Sequence, residues 1–240
     1  MSKRYSNDDH GSYRRPAASA GDLTDRRETW VGIYTLLAEG LKHPDDRLHR
    51  DVREERFADE LARHADELDI PLPVEPGDPT HAPETRAAFD SEYIALFEGL
   101  ATPYAPLVES VYRPWRAGWS SDGLLSGPAA SDMRDRYDAA GVSIPDAYEA
   151  DHLALLLEYA AALLQSGADA AYRTFVDQHL DWLPALRRLV DDAAADAPFH
   201  RYCVVAVCET VATARRRQRL PAPEPEQIDE QVDRASTHVE

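Results

Sequence analysis

The sequence predicts an all-α protein, a single helical bundle of about seven to nine helices with one long aromatic loop. Three observations predict it. Apolar residues recur at three- and four-residue spacing along most of the chain. The stretch from Asp151 to Leu164 is apolar almost all round, which suits the central helix of a bundle. No stretch alternates with a two-residue period long enough to demand a strand. A length of 240 residues accommodates one domain of about 200 residues plus tails.

In chain order, residues 1–23 carry no periodic apolar face and read as a disordered leader. Tyr13-Arg14-Arg15 is not followed by an apolar stretch, so it is not an export signal. The domain is expected over 24–219. From Thr24, a suitable N-cap, residues Trp30, Ile33, Tyr34, Leu37 and Leu41 mark one helical face that Pro44 closes. Residues 45–69 carry Leu48 and Val52 on one stripe and Phe57, Leu61 and Leu68 on another, giving two short helices or one bent one. Prolines 71, 73, 76, 79 and 83 then force a surface connection.

Phe89, Tyr93, Leu96 and Phe97 restore the helical stripe. Between Ala101 and Pro128 the periodicity is lost while Tyr104, Tyr112, Trp115 and Trp119 crowd in, and a long aromatic loop of this kind is functional or docked. Helix returns at 129–140, where Gly141 suits a left-handed C-terminal cap. After the central 151–164 stretch, further helices are expected at about 168–180, 184–195 and 198–217. From Leu220 the sequence turns rich in Pro, Glu and Gln and loses large apolar residues, so 220–240 reads as a disordered acidic tail.

Charge narrows the function. The formal net charge is −18, which would repel a polyanion and argues against nucleic-acid binding. Of 26 basic residues only Lys3 and Lys42 are lysines, a bias that looks like the proteome of a salt-in halophile, where ionic strength screens self-repulsion. No apolar run approaches the ~20 residues that span a bilayer, so an integral membrane protein is not expected. Two cysteines, Cys203 and Cys208, give neither a disulfide framework nor a thiolate zinc cage, which makes the reducing cytoplasm the expected compartment.

Few residues suggest chemistry. Glu149-Ala150-Asp151-His152 contains the Glu-x-x-His spacing of carboxylate-bridged di-iron bundles, but that site needs two copies, and no other histidine has Glu three residues earlier. The simpler reading is that Asp151 caps the helix and His152 is a hydrogen-bonded, half-buried residue. Arg215, Arg216, Arg217 and Arg219 end a helix, where solvated cations suit the dipole. No phosphate-cradling loop or nucleophile elbow is present.

Several segments together resemble the TorD/DmsD-type (NarJ-like) chaperones for molybdenum oxidoreductases. They are Tyr93-Ile-Ala-Leu-Phe-Glu-Gly99, Glu109-Ser-Val-Tyr112, Leu125-Ser-Gly127 before the Met133/Tyr137 helix, and Asp151-His152-Leu153, with a weaker echo at Phe175, His179, Leu180 and Trp182-Leu183-Pro184. The resemblance spans roughly residues 89–190 in the family's order. It implies an all-helical cytoplasmic protein, monomer or homodimer, without catalytic activity or cofactor. Its partner would be a client molybdoenzyme, bound through a twin-arginine signal peptide and held back until its cofactor is inserted.

The same resemblance places Asp151 and His152 near the peptide-binding region and matches Glu109, Ser110 and Tyr112 to a second signature. Glu149 stands where the family often has Pro, which alters the local turn. Such a peptide offers two cations and then an apolar segment. The expected answer is Glu109 and Asp151 for the cations, with Tyr104, Tyr112, Trp115 and Trp119 for the apolar part. The competing readings are a helical metal-dependent enzyme using Glu149 and His152, and a purely structural subunit of a larger complex.

Overall fold

The computed structural model describes residues 26–73, 77–99, 102–113 and 127–239, and turns them into eleven helices with no strand among the described residues. Helix α1 (Arg27–Gly40) buries Trp30, Ile33, Tyr34 and Leu37 along the stripe their spacing predicts. Thr24, the predicted cap, lies outside the described residues. The 45–69 stretch resolves into two helices. Asp45 accepts a 2.7 Å bond from Leu48 N to start α2 (Asp46–Arg53), and Glu55, at φ 61°, turns the chain into α3 (Arg56–Glu67).

Thr85 caps α4 (Arg86–Phe97) through its hydroxyl. Among the described residues of the aromatic loop there is one short turn, α5 (Glu109–Tyr112). Helix α6 (Pro128–Ala140) carries Pro at its start and ends at Gly141 with φ 66°, as its composition predicts. The remaining helices are α7 (Leu153–Gln165), α8 (Asp169–His179), α9 (Leu183–Asp192), α10 (Pro198–Gln218) and α11 (Pro225–Val239).

Helix α7 is the axis, with Leu153, Leu155, Leu156, Leu157, Ala160 and Leu164 all buried and α1 laid along it. The phenol oxygens of Tyr34 and Tyr172, 2.8 Å apart in the core, join α1 to α8. Close approach has a price in side chains at the end of α1. A Cβ on Gly40 would sit 2.9 Å from the Phe57 ring and 3.0 Å from Cys203 Sγ, so only hydrogen fits there. No helix among the described residues is long and apolar enough to cross a membrane.

Two expectations are corrected. The chain after Leu220 is not an irregular tail: α11 packs on α5 and α9, with Ala235 buried and Ile228 and Val232 against the core. Gln227 Nε2 donates 2.7 Å to Asp181, and Arg188 pairs with Asp229. The apolar face is there at i, i+4 and i+7, but its residues are too small and too few to stand out from the acidic composition. The second correction concerns the arginine cluster. Arg215 is not solvated; it is buried and donates to the carbonyls of Val176 and Pro221 while pairing with Asp177 at 3.1 Å. Arg217 lies over the Trp30 ring and donates to Leu68 O, so these cations tie elements together. The predicted leader, residues 1–23, lies outside the described residues.

Candidate functional site

The segment 102–113 runs beside the turn that leads into α7. Leu153 N donates 2.7 Å to Leu107 O and Glu109 N donates 3.1 Å to Asp151 O, so Val108 and His152 form an isolated antiparallel bridge. Two motifs far apart in sequence are thereby locked side by side.

Each residue of the Asp-His pair then caps a different helix. Asp151 Oδ2 accepts 2.7 Å from Ser110 N, capping the first turn of α5 from across the bridge. Burial pushes its carboxyl up to about 6, against the opposing pull of the bonds from Ser110. The expectation that Asp151 caps its own helix is therefore corrected: His152 sits at that N-cap, and its Nδ1 accepts from Ala154 N at 3.2 Å. With Nδ1 an acceptor, the neutral ring carries its hydrogen on Nε2, which donates to the Tyr93 oxygen at 3.3 Å, and the Tyr93 hydroxyl donates to Leu41 O at 3.3 Å. The chain of bonds runs from α7 through α4 to the end of α1. Burial holds the His152 imidazole down at about 3, so it stays neutral and rigid.

Glu109 and Asp151 are fully buried, and neither offers an exposed oxygen to an incoming arginine. Glu109 Oε2 lies 2.8 Å from His179 Nδ1, and Oε1 lies 3.3 Å from Arg113. His179 Nε2 continues to Asp132 at 3.0 Å and thence to Arg136, while Arg113 pairs with Asp181 at 3.1 Å. This chain of polar contacts joins α5, α6 and α8. Ser110 is buried as well. Tyr112 is a core residue, stacked on Trp182 with centroids 4.7 Å apart and donating 2.9 Å to Pro106 O. Glu109, Ser110, Tyr112 and Asp151, expected to face a bound peptide, are buried here and shape the segment. Trp115 and Trp119 lie outside the described residues.

That segment forms one wall of a cavity of about 340 Å³. Tyr104, Leu107, Val108 and Val111 come from this wall, Tyr93 and Phe97 from α4, and Tyr148 and His152 from the turn before α7. Three carboxylates, Glu98, Asp146 and Glu149, also line it. Glu98 lies 2.8 Å from His43 Nε2 and Glu149 3.7 Å from Arg134, with 44 % and 36 % of their side chains exposed, so both remain within reach of a further cation. Of the predicted residues, the cavity gathers Tyr104 and His152. It adds Phe97, Glu98, Asp146, Tyr148 and Glu149, of which Phe97 and Glu98 already stand in the quoted Tyr93–Gly99 segment. Tyr148 and Asp146 carry no periodic signal and become visible only once the turn folds over α4.

The geometry does not favour a metal centre. Glu149 precedes α7 in a turn, with His152 N bonded to its carbonyl, and both ring nitrogens of His152 are engaged. Among the described residues no group of three or more His, Cys, Asp or Glu is arranged to hold an ion.

No curated protein matches the chain in sequence. A family model described as the nitrate reductase delta subunit matches residues 50–190, more than half of the chain, including both bridged segments and the Glu109–His179 pair. The chain thus belongs to the nitrate reductase delta subunit family, a family of molybdoenzyme maturation chaperones rather than catalysts.

Proposed function

We propose that this chaperone acts in the cytoplasm, there salt-rich, and receives the twin-arginine signal peptide of its client molybdoenzyme in the cavity between α4, the 104–111 wall and the 146–149 turn. The observation that supports this reading is the lining itself, three carboxylates beside an aromatic and aliphatic floor. Such a site suits two cations followed by an apolar segment. Glu98, Asp146 and Glu149 take over the part that the sequence alone gave to Glu109 and Asp151. Tyr93, Phe97, Tyr104 and Tyr148 supply the aromatic part of the lining. Through the bridge and the two caps, the Asp-His pair holds the wall in register, so the peptide meets a preformed surface.

The test is a titration of fluorescent signal peptide into the full chain and into the Tyr148→Ala and Glu98→Gln/Glu149→Gln variants at molar salt. The expected result is saturable binding, weakened about tenfold or more by Tyr148→Ala and less by the charge changes, because salt screens exposed pairs. Equal affinity in all three proteins would move the site elsewhere.

A further inference from the structure

Helix α5 has two sides. One side faces the cavity just described, through Val108 and Val111. The other lies under α11, where Tyr112 and Arg113 meet Gln227, Glu230, Gln231 and Arg234 around a second cavity of about 320 Å³. A helix of four residues cannot hold itself in shape, since its nucleus costs more than its few bonds return. What lies behind it therefore decides how rigid the client-facing wall is.

The contact between α11 and the rest is of an unusual kind for a fifteen-residue helix. Among the described residues its only fully buried apolar side chain is Ala235; Ile228 and Val232 are half-buried. Its ties are polar: Gln227 to Asp181, which also pairs with Arg113, and Arg188 to Asp229. Gln231 Oε1 and Arg234 Nε are buried with no hydrogen-bond partner among the described residues, and both residues line the second cavity. Little apolar area and incompletely paired polar groups make this helix cheap to release, whereas α1 and α7 are held by a continuous apolar core.

From these observations we infer that α11 is a releasable strap whose docking stiffens α5 from behind and so sets the shape of the client-binding wall. Docked, it fixes Arg113 and Asp181, and through Arg113 the buried Glu109. Released, it leaves the 107–112 segment without support on that side, held by the bridge to Asp151 and His152, the Glu109–His179 contact and the stack of Tyr112 on Trp182. The part that concerns client affinity rests on the proposed peptide site; the part that concerns the stiffness of α5 does not.

The experiment is hydrogen–deuterium exchange on the full chain, without peptide, comparing the parent with Ile228→Asp/Val232→Asp and with the milder Gln227→Ala. The strap predicts that amides of residues 107–113 exchange about tenfold faster or more in the double variant, with a smaller rise in Gln227→Ala, while those of α1 and α7 keep their protection. Unchanged exchange at 107–113 would overturn the coupling. Equal acceleration throughout α1 and α7 would show α11 to be part of the cooperative core and would overturn the strap. Titration of signal peptide into the same proteins separates the two claims. If the parent binds and the double variant binds about tenfold more weakly, the strap acts on the client. If the parent binds and the variants bind equally well, stiffness and affinity are uncoupled and the inference fails. If the parent binds nothing, the proposed function fails while the exchange result still decides whether α11 stiffens α5.

Discussion

Asp151 and Ser110, 41 residues apart, are joined by a 2.7 Å hydrogen bond from the Ser110 amide to the Asp151 carboxylate, and this bond caps a helix that Asp151 does not precede. Its neighbour His152 caps the helix that follows. Two adjacent side chains thus anchor both walls of the bend beside the cavity. Removing the cap by Asp151→Ala should lower stability by about 1–3 kcal/mol, while Asp151→Asn, which keeps an acceptor oxygen and loses a buried charge, should cost about half as much or less. Urea midpoints of the three proteins check this. An Asn variant as unstable as the Ala variant would show that the charge, and not the cap, matters.

Tyr112 offers a second test of what is wall and what is core. Tyr112→Phe keeps the stack on Trp182 and loses only the bond to Pro106 O, so it should cost about 1 kcal/mol. Tyr112→Ala should cost about 3–5 kcal/mol through the cavity it leaves. If Tyr112→Ala unfolds at the parent temperature, the ring is not packed as described.

The helical map was largely legible because it rests on periodicity. The Trp30–Leu37 stripe, the all-apolar Leu153–Leu164 stretch and Gly141 each carry a local signal that the structure honours. Helix α11 was not legible, since Ile228, Val232 and Ala235 bury too little area to stand out among acidic and prolyl residues. The segments of the site were legible as motifs, but their roles were not. Whether Glu109 faces a peptide or His179 depends on contacts 70 residues away, and no spacing rule reports them. Tyr148 and Asp146 reach the cavity only through the turn that Glu149 and His152 close.

Acid should destabilise the protein by way of its buried imidazoles. His152 and His200 sit at about 3 in the fold because burial disfavours their charged form, whereas an unfolded histidine titrates near ~6.5. Lowering pH from neutral therefore protonates the unfolded chain first and costs stability. Asp151 works the other way: its carboxyl, at about 6, keeps a proton in the fold that an unfolded aspartate, near ~3.9, gives up, so it adds stability as pH falls through 6. Two histidines outweigh one aspartate. His200 is ringed by Phe89, Tyr93, Phe97 and Phe199, and neither of its nitrogens has a hydrogen-bond partner among the described residues. His200→Phe should thus raise stability at pH 7 by about 1 kcal/mol and flatten the fall in melting temperature between pH 6.5 and about 4.5. Parallel slopes for variant and parent would refute this assignment.

Salt should act in the opposite sense. At a formal charge of −18 the fold repels itself in dilute buffer, and screening from tenths of molar to molar salt should raise the melting temperature. Circular dichroism melts at the two extremes check it, and equal midpoints would mean that the acidic surface carries no net strain.

The most direct measurement of the central claim is site-specific photo-crosslinking. A client signal peptide carrying a photoreactive residue next to its arginine pair is irradiated with the full chain, and the attached residues are read by mass spectrometry. The account predicts adducts on the cavity lining, at Phe97, Glu98, Tyr104 or the 146–149 turn, lost on competition with unlabelled peptide and diminished in Tyr148→Ala. Adducts confined to α2, α3 or α9, equally strong in Tyr148→Ala, would contradict it.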